Sequence, residues 1–349
     1  MMISGAKGLR KQWQALIKQN PKKRIRDCAK LLNVSEAELV ATGVGKNSVR
    51  LSDDWPKLLS QLSSLGVVMA LTRNDSVVHE RHGIYQAPRL LNNGMALFVN
   101  DDIDLRIFLS HWAFGFAVKE SNHNREDRYS LQFFDHDGQA VHKIYLTQES
   151  DKTAFDQLVD QHAAVEQMQP LEFSLVEEHR YNTSEEKLDI KGFQQAWDEL
   201  KDTHDFLPLL KEFKIDRQQA LQLAGPSRSR ELTAASINLL MRHASQAGIE
   251  VMVFVASPGV IQIHTGKIKR IITAGDWLNV LDPSFNLHIR ESDIYSCWSV
   301  AKPSVDGQVT SVECFDHQGK MIVQFFGKRK PGQKENPFWR ALVETLPSA

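Results

Sequence analysis

Cysteine is nearly absent from this sequence: its 349 residues include three, Cys28, Cys297 and Cys314. Three cysteines build neither a disulfide framework nor a four-thiolate metal site, and they suit a reducing compartment. Long apolar runs are missing too. The longest, such as residues 251–255, fall far short of the roughly 20 residues that cross a bilayer. The opening MMISGAKGLRKQW lacks the apolar core of a signal peptide. A cytoplasmic protein without membrane insertion is expected. An excess of either charge is also lacking, since 42 Lys and Arg face 43 Asp and Glu for a net charge of −1. Such a chain has no general attraction to nucleic acid or anionic lipid. Any anionic ligand must be held by a local cluster of cations. What remains is ordinary for a globular protein, with 42% apolar and 24% charged residues. The length suits two domains of about 100–200 residues each.

The two halves resemble each other. Phe134-Asp-His-Asp-Gly138 returns as Phe315-Asp-His-Gln-Gly319, 181 residues later. Gly66-Val-Val-Met-Ala-Leu71 returns as Gly248-Ile-Glu-Val-Met-Val253, Asp104-Leu-Arg-Ile107 as Asn286-Leu-His-Ile289, and Leu31-Leu-Asn-Val-Ser35 as Glu212-Phe-Lys-Ile-Asp216. Four matches in one order at offsets of 181–183 indicate a duplication, with a period far beyond that of solenoids. Each repeat opens with helical periodicity, at 8–17 and 27–39 in the first and 192–200 and 209–223 in the second. Strands follow, at 67–73, 77–82, 96–99 and 129–134, matched by 250–256, 260–265, 269–272 and 309–315. Asp135–Gly138 and Asp316–Gly319 read as hairpin turns whose Gly supplies a positive φ. Helices near 153–168 and 337–346 close the repeats. The pattern predicts an α+β fold in tandem, each repeat a largely antiparallel sheet flanked by helices. The first repeat is read at 1–170, the second at 188–349, and polar residues 171–187 as the linker.

Several familiar motifs fail. Gly43-Val-Gly-Lys-Asn-Ser48 lacks the first Gly of a phosphate loop, where Val40 stands, and its Asn47 replaces Ser or Thr. His79-Glu-Arg-His82 lies in a strand, where positions three apart point to opposite faces, so the two imidazoles diverge. GxSxG and HExxH do not occur. Residues 25–39 resemble a helix-turn-helix, but the pattern is one of packing and recurs in the second repeat. DNA binding is a remote alternative, and no nucleic-acid partner is expected.

A duplicated fold shows its function where the copies differ. His204 lies in Lys201-Asp-Thr-His-Asp-Phe-Leu-Pro-Leu-Leu210, and 181 residues earlier stands Lys23. Pro208 fits only a first helical turn, which places His204 just before a helix, able to project into a cleft. A capping or surface histidine would read the same way. Cations differ as well: Arg217 stands opposite Glu36, Lys302 follows a strand-like segment, and Arg329 closes Gln324-Phe-Phe-Gly-Lys-Arg329. Each alone could be a solvated surface charge.

Together the stretches Asp104-Leu-Arg-Ile-Phe-Leu-Ser-His-Trp112, Thr203-His-Asp-Phe206, Glu250-Val-Met-Val-Phe-Val255, Gly275-Asp-Trp-Leu-Asn279, Lys302-Pro-Ser-Val-Asp-Gly307 and Gln324-Phe-Phe-Gly327 carry a resemblance. The chain resembles, over its full length, the HemS/ChuS/HmuS family of bacterial cytoplasmic heme-utilisation proteins. The resemblance implies a cytoplasmic heme-binding protein of heme uptake and iron utilisation, with heme b (iron protoporphyrin IX) held between the two repeats. It implies His204 as the axial iron ligand and Arg106 as the distal residue. Arg217, Lys302 and Arg329 match basic pocket positions, and Phe254 and Gln324 match pocket walls. Phe326 departs from the pattern, since relatives usually carry Tyr there. Imidazole suits heme iron, propionates need cations, and porphyrin faces need apolar walls. A heme-degrading, oxygenase-like enzyme with heme as both substrate and cofactor is the alternative, with Arg106 as its catalytic group. That reading calls for an electron donor as a partner, and either reading for a heme importer or a downstream heme-processing protein.

Overall fold

The computed structural model describes residues 2–121, 126–174, 188–330 and 332–349. Most of the linker read at 171–187 therefore lies outside the described residues. Two antiparallel sheets of nine strands, flanked by helices, carry the fold. By contacts the chain divides into two compact units, each drawn from three segments. Unit 1 comprises Met1–Arg73, Glu80–Glu177 and Ala256–Gln262, and unit 2 comprises Asn74–His79, Glu178–Val255 and Ile263–Ala349. Among the described residues no helix is long and apolar enough to cross a membrane.

In unit 1 the strands Ser48–Arg50, Phe114–Glu120, Arg128–Phe134, Ala140–Ser150 and Gly66–Arg73 lie side by side in that order, all antiparallel. In unit 2 the series is Ser229–Leu232, Ser296–Lys302, Val309–Phe315, Met321–Gly327 and Val251–Ser257, paired through Val251–Phe254 at its last member. The duplication is thus written in the hydrogen-bond ladder. It is also written in the turns. Asp135 accepts from the amides of Asp137 and Gln139, and Asp316 from those of Gln318 and Lys320. Gly138 and Gly319 follow at φ of 75° and 73°, where a Cβ would be strained.

Each stretch read as one helix at 27–39 and 209–223 is two. Ile25–Leu32 breaks from Glu36–Ala41 at Asn33, and Phe206–Phe213 breaks from Arg217–Leu223 at Lys214. Asn33 and Lys214 adopt the left-handed conformation at φ of 52° and 53°. Two residues later Ser35 and Asp216 cap the next helix, accepting from the amides of Glu38 and Gln219. Local capping outweighs the continuous apolar period. The helix read near 153–168 is shorter, Lys152–His162, because Ala163 is extended and bridges Leu51. The last helix is Pro337–Glu344.

Candidate functional site

The site grows from one sheet face in unit 2. Alternate strand residues point to opposite faces. The registers Phe254↔Gln324, Met252↔Phe326, Glu313↔Gln324, Ser311↔Phe326 and Trp298↔Glu313 place these side chains on one face. The other face carries Val253, Phe325, Val312 and the facing pair Cys297 and Cys314, all in the core. Helices Ile190–Asp198, Phe206–Phe213 and Arg217–Leu223 cover the first face beside Trp298 and Val300 through Trp197, Phe206, Leu210 and Leu221. Beyond the helices Phe254 and Phe326 remain half-buried, with ring centroids 5.1 Å apart and edge to face.

His204 sits in the single turn Thr203–Asp205 that leads into Phe206–Phe213, and Pro208 falls in that helix's first turn. Its side chain is 93% exposed. Asp202 Oδ1 accepts from the His204 amide at 2.8 Å and contacts Nδ1 at 2.6 Å. The amide bond, helped by the ring and by the positive charge of Arg329, holds the Asp202 carboxyl below its ordinary range. With the ring proton on Nδ1 and donated to Asp202, the lone pair lies on the outward Nε2. A carboxylate behind an imidazole fixes the tautomer a metal needs. Sequence reading missed Asp202, although an Asp two residues before a His at a helix start is a visible signal.

Of the basic residues, Lys302 is buried and Arg217 nearly so, and both converge on one carboxylate that sequence reading also missed. Glu313 accepts from Arg217 Nε and Nη2 at 2.7 and 2.9 Å, from Lys302 Nζ at 2.8 Å and from Ser311 Oγ at 2.9 Å. Burial alone would raise the Glu313 pKa, but the two cations outweigh it and keep the group ionised. Burial, with repulsion from Arg217, brings Lys302 down to about 8 despite Glu313. A charged residue amid the otherwise uncharged strand Val309–Phe315 was the signal for Glu313.

Two donors lack protein partners among the described residues, one on this face at Gln324 and one past the strand end at Arg329, whose charge reaches Asp202. Gln324 Nε2 and Arg329 Nη1 are buried with no hydrogen-bond acceptor among the described residues. An unpaired buried donor is costly, so these groups suit an acceptor such as a carboxylate. Arg106 belongs to unit 1. In Asp104–Phe108 alternate residues Leu105 and Ile107 enter the core, while Asp104 and Arg106 point the other way and form an ion pair.

The first unit repeats the face with other side chains. Its registers Met69↔Tyr145, Leu71↔Lys143 and Gln132↔Lys143 correspond to those above. Tyr145 stands for Phe326, Lys143 for Gln324, Gln132 for Glu313 and Leu71 for Phe254. Here the helix supplies the acid: buried Glu36 pairs with Arg73 and, at 3.2 Å, with Lys143. The Arg128 guanidinium lies 3.8 Å from the centre of the Tyr145 ring. The face is thus filled by its own charges, and no histidine precedes its helices at Lys23.

Comparison with known proteins shows the family. The family model described as the haemin-degrading HemS.ChuX domain matches residues 33–162 and again 214–346. The chain is 37% identical over 346 residues to the hemin transport protein HemS of Yersinia enterocolitica, covering 98% of each. The structure of holo-PhuS, a heme-binding protein from Pseudomonas aeruginosa, superposes with a TM-score of 0.96 at 43% identity, covering 99% of each chain. That of the heme-degrading enzyme ChuS from Escherichia coli O157:H7 gives 0.91 at 35% identity, covering 98% of this chain and 99% of that one. With the domain matched twice in one chain, at starts 214 − 33 = 181 residues apart, and relatives similar from end to end, the protein belongs to the HemS/ChuX hemin-utilisation family.

Proposed function

We propose that the chain is a cytoplasmic heme carrier of iron acquisition, binding heme with His204 Nε2 on the iron. The observation that carries this is the outward imidazole whose Nδ1 is tied to Asp202, present in the second unit where the first has Lys23. Phe254 and Phe326 supply apolar wall. Gln324 Nε2 and Arg329 Nη1 supply donors to the propionates, and Arg217 and Lys302 add positive charge behind them. Arg106 is assigned to the heme face away from His204, where a guanidinium can donate to whatever ligand the iron carries there. The heme is of the b type, held without covalent attachment, because all three cysteines are buried and a thioether link needs an accessible thiol beside the porphyrin edge. Absorption titration with hemin tests the reading: a Soret band saturating at one equivalent supports it, and its absence refutes it.

A second reading is heme degradation. The family description names haemin degradation, and one similar structure is described as an E. coli heme oxygenase. Heme would then be the substrate, bound by the same residues, with Arg106 touching the ligand at the reacting face and electrons arriving from a separate donor protein. Reductant added to the heme-loaded protein separates the two readings. A carrier keeps or transfers intact heme, and an enzyme yields a bilin-like product.

A further inference from the structure

Resting on the heme-binding reading above, we propose that Glu313 is a positioning residue for the axial histidine, acting through Arg217, Lys302 and Phe206. Its carboxylate draws two cations to one place, and both lie against the same ring. The Arg217 guanidinium carbon is 5.0 Å and Lys302 Nζ 4.6 Å from the centroid of Phe206. Phe206 is buried, packs edge-on against Trp197 at 4.7 Å and opens the helix Phe206–Phe213. It lies two residues after His204 in the chain. The ring is therefore held on one side by aromatic packing and on another by two cations that one carboxylate keeps together. Whatever fixes Phe206 fixes the turn Thr203–Asp205.

Comparison between the units isolates this role. Both place one carboxylate between two cations under a helix: Glu36 with Arg73 and Lys143 in unit 1, and Glu313 with Arg217 and Lys302 in unit 2. The shared arrangement ties helix to sheet. In unit 1, however, the residue 181 positions before Phe206 is Ile25, which also opens a helix but offers no ring to a cation. The unit 1 cluster meets a strand ring instead, Lys143 Nζ lying 5.8 Å from the centroid of Phe134. Of these two carboxylate-centred clusters, the one that meets a helix-opening ring among the described residues is thus in the unit that has the histidine.

Removing the charge of Glu313 leaves Arg217 and Lys302 as buried like charges that repel. They would separate and release the ring. The test uses Glu313→Gln in the full chain, a change the strand should accommodate because Gln132 holds the corresponding register in unit 1. Hydrogen exchange of the apo protein should speed up at least tenfold across residues 203–209, relative to the strands of unit 2. The hemin-loaded variant should show a shifted Soret band and release heme to an excess of apomyoglobin at least tenfold faster, with Glu313→Asp intermediate. Phe206→Leu, which leaves the ion cluster intact, should reproduce both effects and serves if Glu313→Gln does not fold. Exchange that rises evenly over unit 2, or a heme spectrum and release rate equal to those of the unaltered protein, overturns the proposal. If the unaltered protein takes up no hemin, the heme-binding reading fails by itself, and apo exchange still shows whether Glu313 holds the turn.

Discussion

Neutral imidazole binds iron through one nitrogen lone pair, and on the proposed heme-binding reading the carboxylate beside His204 selects which nitrogen offers it. His204→Ala should abolish the axial bond while leaving the apolar walls and donors, so the Soret band should shift and binding weaken. An unchanged spectrum would move the assignment to another histidine, with His264 or His288 next. Arg106→Ala should alter the ligand on the iron's other face or the autoxidation rate more than the affinity. Loss of binding as complete as in His204→Ala would refute that face assignment. The cations divide by their existing partners. Arg217 and Lys302 are already engaged by Glu313, whereas Arg329 keeps a buried Nη1 without an acceptor among the described residues. Arg329→Met should therefore cost about 1.5–3 kcal/mol in heme affinity, the range for a buried charge-assisted contact. With heme dimethyl ester, which has no carboxylates, most of that cost should vanish. Equal losses with both ligands would mean that Arg329 holds the fold and not a propionate.

Helix breaks set where the site elements begin, and they follow local chemistry more than apolar period. Lys214 holds a left-handed conformation that costs an ordinary side chain roughly 1–2 kcal/mol. Lys214→Gly should thus leave stability unchanged or raise it by a few tenths of a kcal/mol after glycine's own entropy loss, and Lys214→Val should lower it by about 1–2 kcal/mol, read as the urea midpoint. A midpoint raised by valine would contradict the account. The same elements show what the sequence could and could not reveal. The turns Asp135–Gly138 and Asp316–Gly319 were legible because they need a specific residue at a specific φ. The breaks at Asn33 and Lys214 were not, since apolar spacing runs through them and a lysine gives no warning of positive φ. The strand Ser296–Lys302 was half legible, but Ala140–Ser150 and Phe285–Arg290 went unread because their polar members, Lys143 and His288, interrupt the apolar pattern. At the site, His204 and the cations stood out through asymmetry between repeats. Glu313 did not, because its meaning lies in register: it is Arg217 and Lys302, 96 and 11 residues away, that make it a hub.

At the scale of the whole molecule the two units share a framework and differ in what fills it. The difference appears in stability first. His142 is buried in unit 1 between Thr72 Oγ1, 2.8 Å from Nδ1, and Tyr85 Oη, 2.6 Å from Nε2, whereas Val323 holds the corresponding place in unit 2. Burial lowers the His142 pKa from 6.5 to about 3. Its folded pKa lies below its unfolded one, so between those values the unfolded chain binds a proton that the folded chain does not. The contribution is complete above pH 6.5 and declines by at most about 1.4 kcal/mol per unit as the pH falls toward 3. His142→Gln, compared with the unaltered protein by urea unfolding from pH 7 to 4.5, should flatten that decline. Parallel curves would show that His142 does not contribute. Ligand stoichiometry is the larger consequence. A duplicated fold could offer two equivalent heme sites, but unit 1 has Lys23 in place of His204, Lys143 in place of Gln324, and Tyr145 covered by Arg128. Its Lys143 and Arg73 already share Glu36, so no orphan donor comparable to Gln324 Nε2 waits on that face among the described residues. Hemin titration should therefore end at one equivalent per chain. His204→Ala should remove the spectral signature of that equivalent without exposing a second. Placing a histidine in unit 1 by Lys23→His should not by itself create another site, because its face remains occupied by its own ion pairs. A titration of the unaltered protein that ends at two equal sites would show that neither the absent imidazole nor the filled face keeps heme from unit 1, and a second Soret-active equivalent gained by Lys23→His alone would show that the imidazole and not the filled face had been limiting.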